Sequence, residues 1–458
     1  MTKVSDLSRD VAAMLAESAP VVDVAKGGAH MRGKGKTYLP KFSLEDDADY
    51  KARVENTSLF NGVKKARDDM VGKVFEKPIV LVDQSGDLFT WCQNVDLEGR
   101  DLSNFAVDVF TGAIQRGIEF IMVDAPARDA ELTRGQAQAQ NLRPYMVRLP
   151  LDTVLGWQWE TINNAPTLTQ FRIMEEVDAP DRDVFSDDTV EQIRVLTLAD
   201  GLVTVTLWRR GNGRNKEFEI FDEYPTDLDQ IQVVPVYTGR AGFMKASSPL
   251  ADIAEVNLAH WRTQSDKSMC LHKSLAPLLL IKGIDVEGEA VSSSGYAFTS
   301  SAEHADLKWA EIRGSGIAAA SDELRDLEKQ MQWLGLMLIM ERSGVSTATG
   351  DAIDEGKSTS KLRMWADNLK DALEIALGWM AEMGGIAGAN TEVSVHKDFN
   401  TLGHLSMSDV RDLYVSGAIS RTRYIREAQR RGVLAEDVDP EEEAEAALAE
   451  AISDAGTE

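Results

Sequence analysis

Apolar positions along the chain change period several times, and each change marks an element. Tyr50, Val54, Phe60, Val63, Met70 and Val74 recur at helical spacing until Pro78 stops them, which predicts one long helix. Phe105, Ala106, Val109, Phe110, Ala113 and Ile114 form a broad stripe that Ser103 can cap and Gly117 ends. A strand over Ile118 to Val123 is expected next. From Tyr145 to Tyr237 the period falls to two, with strands around Phe171, Ile193 to Leu198, Leu202 to Trp208 and Phe218 to Phe221. Asp200-Gly201 marks a tight hairpin between two of them.

Ser248-Pro249 then opens a helix through Leu250, Ile253, Ala254, Val256, Asn257 and Trp261 toward Leu271 and Leu275, with Pro277 at its end. The Gly- and Ser-rich stretch Ile281 to Ser315, with apolar runs at Tyr296 to Phe298 and Leu307 to Trp309, reads as a small strand-and-loop insertion. A second helix starts at a Ser321 cap and carries Leu324, Leu327, Met331, Leu334 and Leu338 at steps of three and four. Packing on the subunit's own core accounts for that stripe as well as a coiled coil does. A Ser/Thr/Gly loop from Arg342 to Lys357 leads to a third stripe, Leu362, Trp365, Leu369, Leu373, Leu377 and Met380. Beyond Gly388 come a strand, Val393 to His396, and helices split at Gly417. The residues before Lys41 include the glycine-rich run Lys26 to Lys36, which reads as a loose arm or loop.

Composition narrows the classes. With 458 residues, 43% of them hydrophobic, the chain has material for several packed segments. A net charge of −26 argues against tight, nonspecific binding to a phosphate backbone. The last residues, Glu436 to Glu458, hold ten acids and no Lys or Arg, which suits a solvated tail. Cys92 and Cys270 lack CxxC spacing, so neither a disulfide scaffold nor a cysteine zinc site is indicated. No export signal or membrane anchor is expected, since the longest apolar run outside the N-terminus, near Leu336 to Met340, is too short to span a bilayer.

The sequence nominates no reaction, cofactor or metal. Gly350 to Ser358 approaches a phosphate-binding loop, but five residues separate its glycines where four are needed, and Asp351, Asp354 and Glu355 place negative charge where a phosphate must sit. Neither Cys270-x-His272 nor Glu303-His304 has metal-ligand spacing, and GxSxG and HExxH are both missing. A DNA reader is suggested at Val410 to Arg431, where Gly417 divides two helices and Ser420 caps a second one carrying Arg421, Arg423, Arg426, Arg430 and Arg431. Sequence-specific DNA binding through that segment is the alternative reading. Pairing of those arginines with carboxylates is the simpler account.

The order of elements resembles the portal proteins of tailed bacteriophages from about Tyr50 to the acidic end. The pieces that carry the likeness are Tyr50 to Thr57 with Val71 to Pro78, Ser248 to Leu258 opening the helix toward Pro277, Leu324 to Leu338, the Ser/Thr/Gly loop, the helix through Trp365, and Gly417 to Ser420 before the acidic end. The resemblance implies a mixed α+β portal fold with an α/β wing, helical stem, small clip insertion and helical crown. Its parts would be an N-terminal arm (1–41), wing with helices and antiparallel sheet (42–247), first stem helix (248–282), clip (283–318) and second stem helix (319–341). A tunnel loop (342–357), a tunnel-lining helix with wing return (358–400), and a crown with acidic tail (401–458) would follow. It further implies a non-enzymatic homo-oligomer, a dodecameric ring at the capsid portal vertex of a virion, made in the host cytoplasm. Its partners would be double-stranded DNA in transit, the terminase large subunit, the head-to-tail adaptor and the major capsid protein. Arg342, Ser346, Thr347, Thr349 and Lys357 would face the DNA from the tunnel loop.

Overall fold

The computed structural model describes residues 3–126, 141–179, 183, 185–210, 217–275, 278–282, 304, 306–310, 315–339, 361–396, 411, 414–415, 420–430, 433–434, 439, 441 and 443. The chain divides into two compact units, Met1–Lys397 and Asp398–Glu458. Both helix and sheet are extensive in the first, so the mixed α+β class holds.

In chain order the first unit begins with α1 (Arg9–Ala25), α2 (Gly28–Lys34), α3 (Asp47–Asn56), α4 (Gly62–Val74), β1 (Val80–Leu81), α5 (Gly86–Cys92) and α6 (Leu102–Arg116). The strands β2 (Ile118–Asp124), β3 (Tyr145–Leu149), β4 (Val154–Ile162), β5 (Ala165–Asp178), β6 (Thr189–Ala199), β7 (Leu202–Arg210), β8 (Phe218–Pro225), β9 (Val233–Tyr237), β10 (Arg240–Gly242) and β11 (Lys245–Ala246) follow. Next come α7 (Ala251–Leu275), β12 (Leu278–Lys282), β13 (Asp306–Ala310), α8 (Ser315–Ile339), α9 (Lys361–Met383) and β14 (Val393–Ser394). The second unit contains α10 (Arg421–Arg430).

Strands β4 to β8 form an antiparallel meander in sequence order. Its β6–β7 hairpin turns at Asp200 and Gly201, both with positive φ, and pairs Ala199 with Leu202 as a two-residue loop requires. A second sheet places β2 between β3 and β9, all antiparallel. Strand β2 is covered on both faces, which is why its apolar run is nearly continuous. Ile118, Phe120 and Met122 pack into one core with Val11 and Met14 of α1 and with Phe171 and Val205 of the meander. The alternate positions turn toward α6, where Gly112 lies against Glu119.

Several expectations are corrected. The run Lys26 to Lys36 is not loose: α2 lies within it, and His30, Lys34 and Tyr38 converge on the buried carboxylate of Asp23 at 2.7, 3.1 and 2.7 Å. Burial pushes that carboxyl up, but bonds from Tyr38, His30 and Lys34 outweigh it and hold it below the usual range. The helix expected from Tyr50 to Val74 is two helices. Asp46 caps α3, and Asn61 caps α4 by accepting from Lys64 N at 2.9 Å, so the turn between them is specified by side chains that the apolar period does not register. Asp101 caps α6, while Ser103 Oγ accepts from Ile79 N at 3.0 Å. Helix α8 starts at Ser315, so Ser321 is internal and donates to the Ile317 carbonyl at 2.8 Å. Residues 278–282, expected to close the first stem helix, are strand β12, paired antiparallel with β13.

Other elements lie where the pattern puts them. Leu362, Trp365, Leu369, Leu373, Leu377 and Met380 are all buried along α9. Leu324, Leu327, Met331 and Leu338 are buried along α8. Strand β14 pairs with β1.

Candidate functional site

Helices α7 and α8 run antiparallel, with Asn257 and His260 near Met331 and Glu328 and the later residues of α7 near the earlier ones of α8. The start of α4 is wedged against this pair. Asn257 is fully buried, and its Oδ1 accepts from the N–H groups of Gly62 and Val63 at 2.8 and 3.1 Å, while its Nδ2 donates to the Phe60 carbonyl at 2.8 Å. One side chain of α7 thus satisfies two of the free N–H groups that open α4. A Cβ on Gly62 would come within 2.6 Å of Met331 Sδ, so the glycine permits α4 to close on α8.

Beside this junction a cleft of about 410 Å³ opens between the two helices. Leu59, Phe60 and Leu324 give it apolar walls, Lys267 lines it with positive charge, and Arg325, paired with Asp322 at 2.5 Å, and Glu328 stand at its α8 side. His260 is buried against the tilted ring of Phe60, 5.3 Å between centroids, and its Nε2 donates to Glu328 Oε1 at 3.2 Å. The charged groups are mostly engaged, His260 with Glu328 and Arg325 with Asp322, and the Ser321 hydroxyl donates to a carbonyl, which leaves Lys267 as the cation of an otherwise apolar and neutral polar lining. That arrangement suits holding an apolar side chain carried on an acidic segment better than it suits acid–base chemistry.

Other ionisable clusters hold elements together. Arg194 bridges Asp124 and Glu175 at 2.9 and 2.8 Å, tying β6 to β2 and β5. Arg53 clamps Glu45 with both side chains buried. Glu119 accepts from Arg148 Nε at 2.7 Å, and burial, only partly offset by that guanidinium, pushes its carboxyl up to about 7. Burial also raises the Cys92 thiol to about 12. Among the described residues no group of three or more His, Cys, Asp or Glu is placed to hold a metal ion. Among them, too, no helix is long and apolar enough to cross a membrane.

Arg342, Ser346, Thr347, Thr349 and Lys357 lie outside the described residues, as does the near phosphate loop Gly350 to Ser358. Of the arginine-rich segment, α10 is helical with Ile425 and Ala428 buried, Tyr424 N bonds to the Ser420 carbonyl, and Tyr424 stacks on Tyr414, 5.1 Å between centroids. The turn at Gly417 lies outside the described residues. The sequence did not single out His260, Glu328, Lys267 or Arg325. Their only signal is polar spacing at three and four residues on α7 and α8, common to any exposed helix face.

A family described as a domain of unknown function, DUF4055, matches residues 249–383, the stretch holding α7, β12, β13, α8 and α9. No curated protein matches the chain. Similar solved structures include "Virion of native gene transfer agent (GTA) particle", with 10% identity, TM-score 0.36, and coverage of 80% of this chain and 88% of that one. Two more are "Neck of native GTA particle computed with C12 symmetry" and "Neck of empty GTA particle computed with C6 symmetry", at 10% and 9% identity, TM-score 0.37, and coverage of 79% and 88% in both cases.

Proposed function

We propose that the chain is a portal-type subunit that assembles into a dodecameric ring at one vertex of a phage-like capsid and conducts DNA during packaging and ejection. The terminase large subunit, a head-to-tail adaptor and the major capsid protein are its expected neighbours. Its work is geometric and not catalytic. The observation that carries this reading is the antiparallel pair α7 and α8, joined through the paired strands β12 and β13 and followed by α9. That order of parts is what a stem, a clip and a tunnel-lining helix require.

The second face of the pair supports assembly. Helix α8 buries Leu324, Leu327, Met331 and Leu338, yet leaves Trp333 and Met337 exposed one turn apart on another face. The buried stripe already accounts for the packing of α8 on α7, α4 and α9, so an exposed apolar pair on another face suits a further neighbour. The net charge of −26 fits a channel protein that lies near DNA without retaining it.

Negative-stain imaging of the purified protein, with mass by light scattering, tests the proposal. Annular particles with a central hole are expected. A stable monomer at high concentration that binds DNA sequence-selectively in gel shifts overturns it in favour of a reader built on α10.

A further inference from the structure

Two complementary features lie on opposite sides of α7. The first is the turn of residues 38–46 that precedes α3. It carries Phe42 and Leu44 on its surface, and Leu44 is 97% exposed. Arg53 fixes this turn, donating to Glu45 Oε1 at 2.7 Å, Glu45 Oε2 at 2.8 Å, the Pro40 carbonyl at 2.8 Å and Ser265 Oγ at 3.4 Å. Its guanidinium also sits 4.3 Å from the Phe42 ring centroid. Burying an ion pair costs desolvation, so a buried clamp under an exposed apolar tip argues that the tip's placement matters. Asp46, Asp47 and Asp49 are exposed beside it, and with Lys41 paired to Asp47 at 2.6 Å the flank remains net acidic.

The second feature is the cleft between α7 and α8. At about 100° per residue along a helix, His260, Gln264 and Lys267 face the cleft, while Ser265, which holds Arg53, and Arg262, which donates to the Tyr38 carbonyl at 2.8 Å, lie on the far side. The turn is apolar at its tip and acidic at its flank. The cleft is apolar at Leu59, Phe60 and Leu324 and bears Lys267 and Arg325, the latter paired with Asp322, while its acid, Glu328, is held by His260.

We infer that the Leu44 turn of one subunit seats in the α7–α8 cleft of the next copy of this chain. Leu44 enters against Phe60 and Leu324, and the acids after it face Lys267 and Arg325. A knob and a socket on opposite sides of one helix make a heterologous contact, which repeats head to tail and closes into a ring when the rotation permits. The inference rests on the ring reading and names one of its interfaces.

Oxidative cross-linking tests it in the full chain carrying Cys270→Ser, Leu44→Cys and Gln264→Cys, with Cys92 left buried in place. A ladder of covalent multimers on a non-reducing gel is expected. In parallel, Leu44→Asp, a change at a solvent-facing side chain, should leave circular dichroism and the unfolding midpoint unaltered while weakening assembly about tenfold or more in a light-scattering dilution series. Rings that form without the ladder and survive Leu44→Asp overturn the inference and leave the ring reading standing. A wild-type chain that stays monomeric, with no ladder, overturns both.

Discussion

The Glu119 carboxylate lies against the backbone of Gly112: a Cβ placed on that glycine would come within 2.5 Å of Cδ and of both carboxylate oxygens. The contact puts a fully buried acid between β2 and α6, and Arg148 bonds one of its oxygens while the other has no hydrogen-bond partner. Its carboxyl is therefore pushed up to about 7 from an ordinary 4.5. A raised folded-state value stabilises the protein when the group is protonated, so that contribution is complete below the ordinary value and is lost as pH rises through about 7. Stability should fall by on the order of 3 kcal/mol from this group between about pH 4.5 and pH 7 and level off above. Urea titrations across that window should show the decline in the wild type and a flatter profile in Glu119→Gln.

Gly112→Ala should cost about 1–3 kcal/mol, because the added methyl meets a carboxylate held by Arg148 and enclosed on all sides. Placed in a Glu119→Ala background, the same change should cost much less. A double-mutant cycle by chemical denaturation measures the difference, and additive effects would show that the clash is relieved by movement elsewhere.

Asn257→Leu should destabilise by roughly 3 kcal/mol, since it removes the acceptor for the N–H groups of Gly62 and Val63 and the donor to the Phe60 carbonyl, all in a buried setting. Because the asparagine fixes the wall that Phe60 contributes to the cleft, amide exchange at the start of α4 should quicken in the same variant. Unchanged exchange there would show that α4 is anchored by its packing on α8 instead.

Gly117→Ala should be worse than an ordinary cavity or capping defect. Gly117 ends α6 with φ +85°, and a Cβ there would sit 2.3 Å from the Ser247 carbonyl oxygen, a backbone atom that cannot swing away. Strain at the left-handed position adds to the collision, so a loss of about 3 kcal/mol or more is expected. The urea midpoint reports it directly.

Elements governed by a long apolar period were legible in the sequence. Trp365 and its partners on α9, the stripe on α8, and the Asp200-Gly201 hairpin follow from spacing or turn chemistry alone, which act over a few residues. The failures share a cause: a polar side chain that acts at a distance. Nothing near Gly28 announces that His30, Lys34 and Tyr38 will meet Asp23, and nothing near Asn61 announces that Asn257 will complete the start of α4. The same holds for the cleft, whose charged residues come from two helices far apart in sequence and acquire meaning only when α7 and α8 lie side by side.

Arg53→Met should separate stability from assembly. It leaves Glu45 buried without its partner, a loss of about 3–5 kcal/mol for breaking a buried ion pair from one side. Removing both charges, as Arg53→Met with Glu45→Leu, should restore much of that stability, because apolar side chains of similar bulk carry no desolvation cost. The double variant still lacks the bonds from Arg53 to Pro40 and Ser265 that hold the turn in register. Its unfolding midpoint should therefore approach the wild-type value while light scattering still shows weakened assembly. If the double variant regains both, the turn keeps its shape without the clamp, and the buried pair has no part in presenting Leu44.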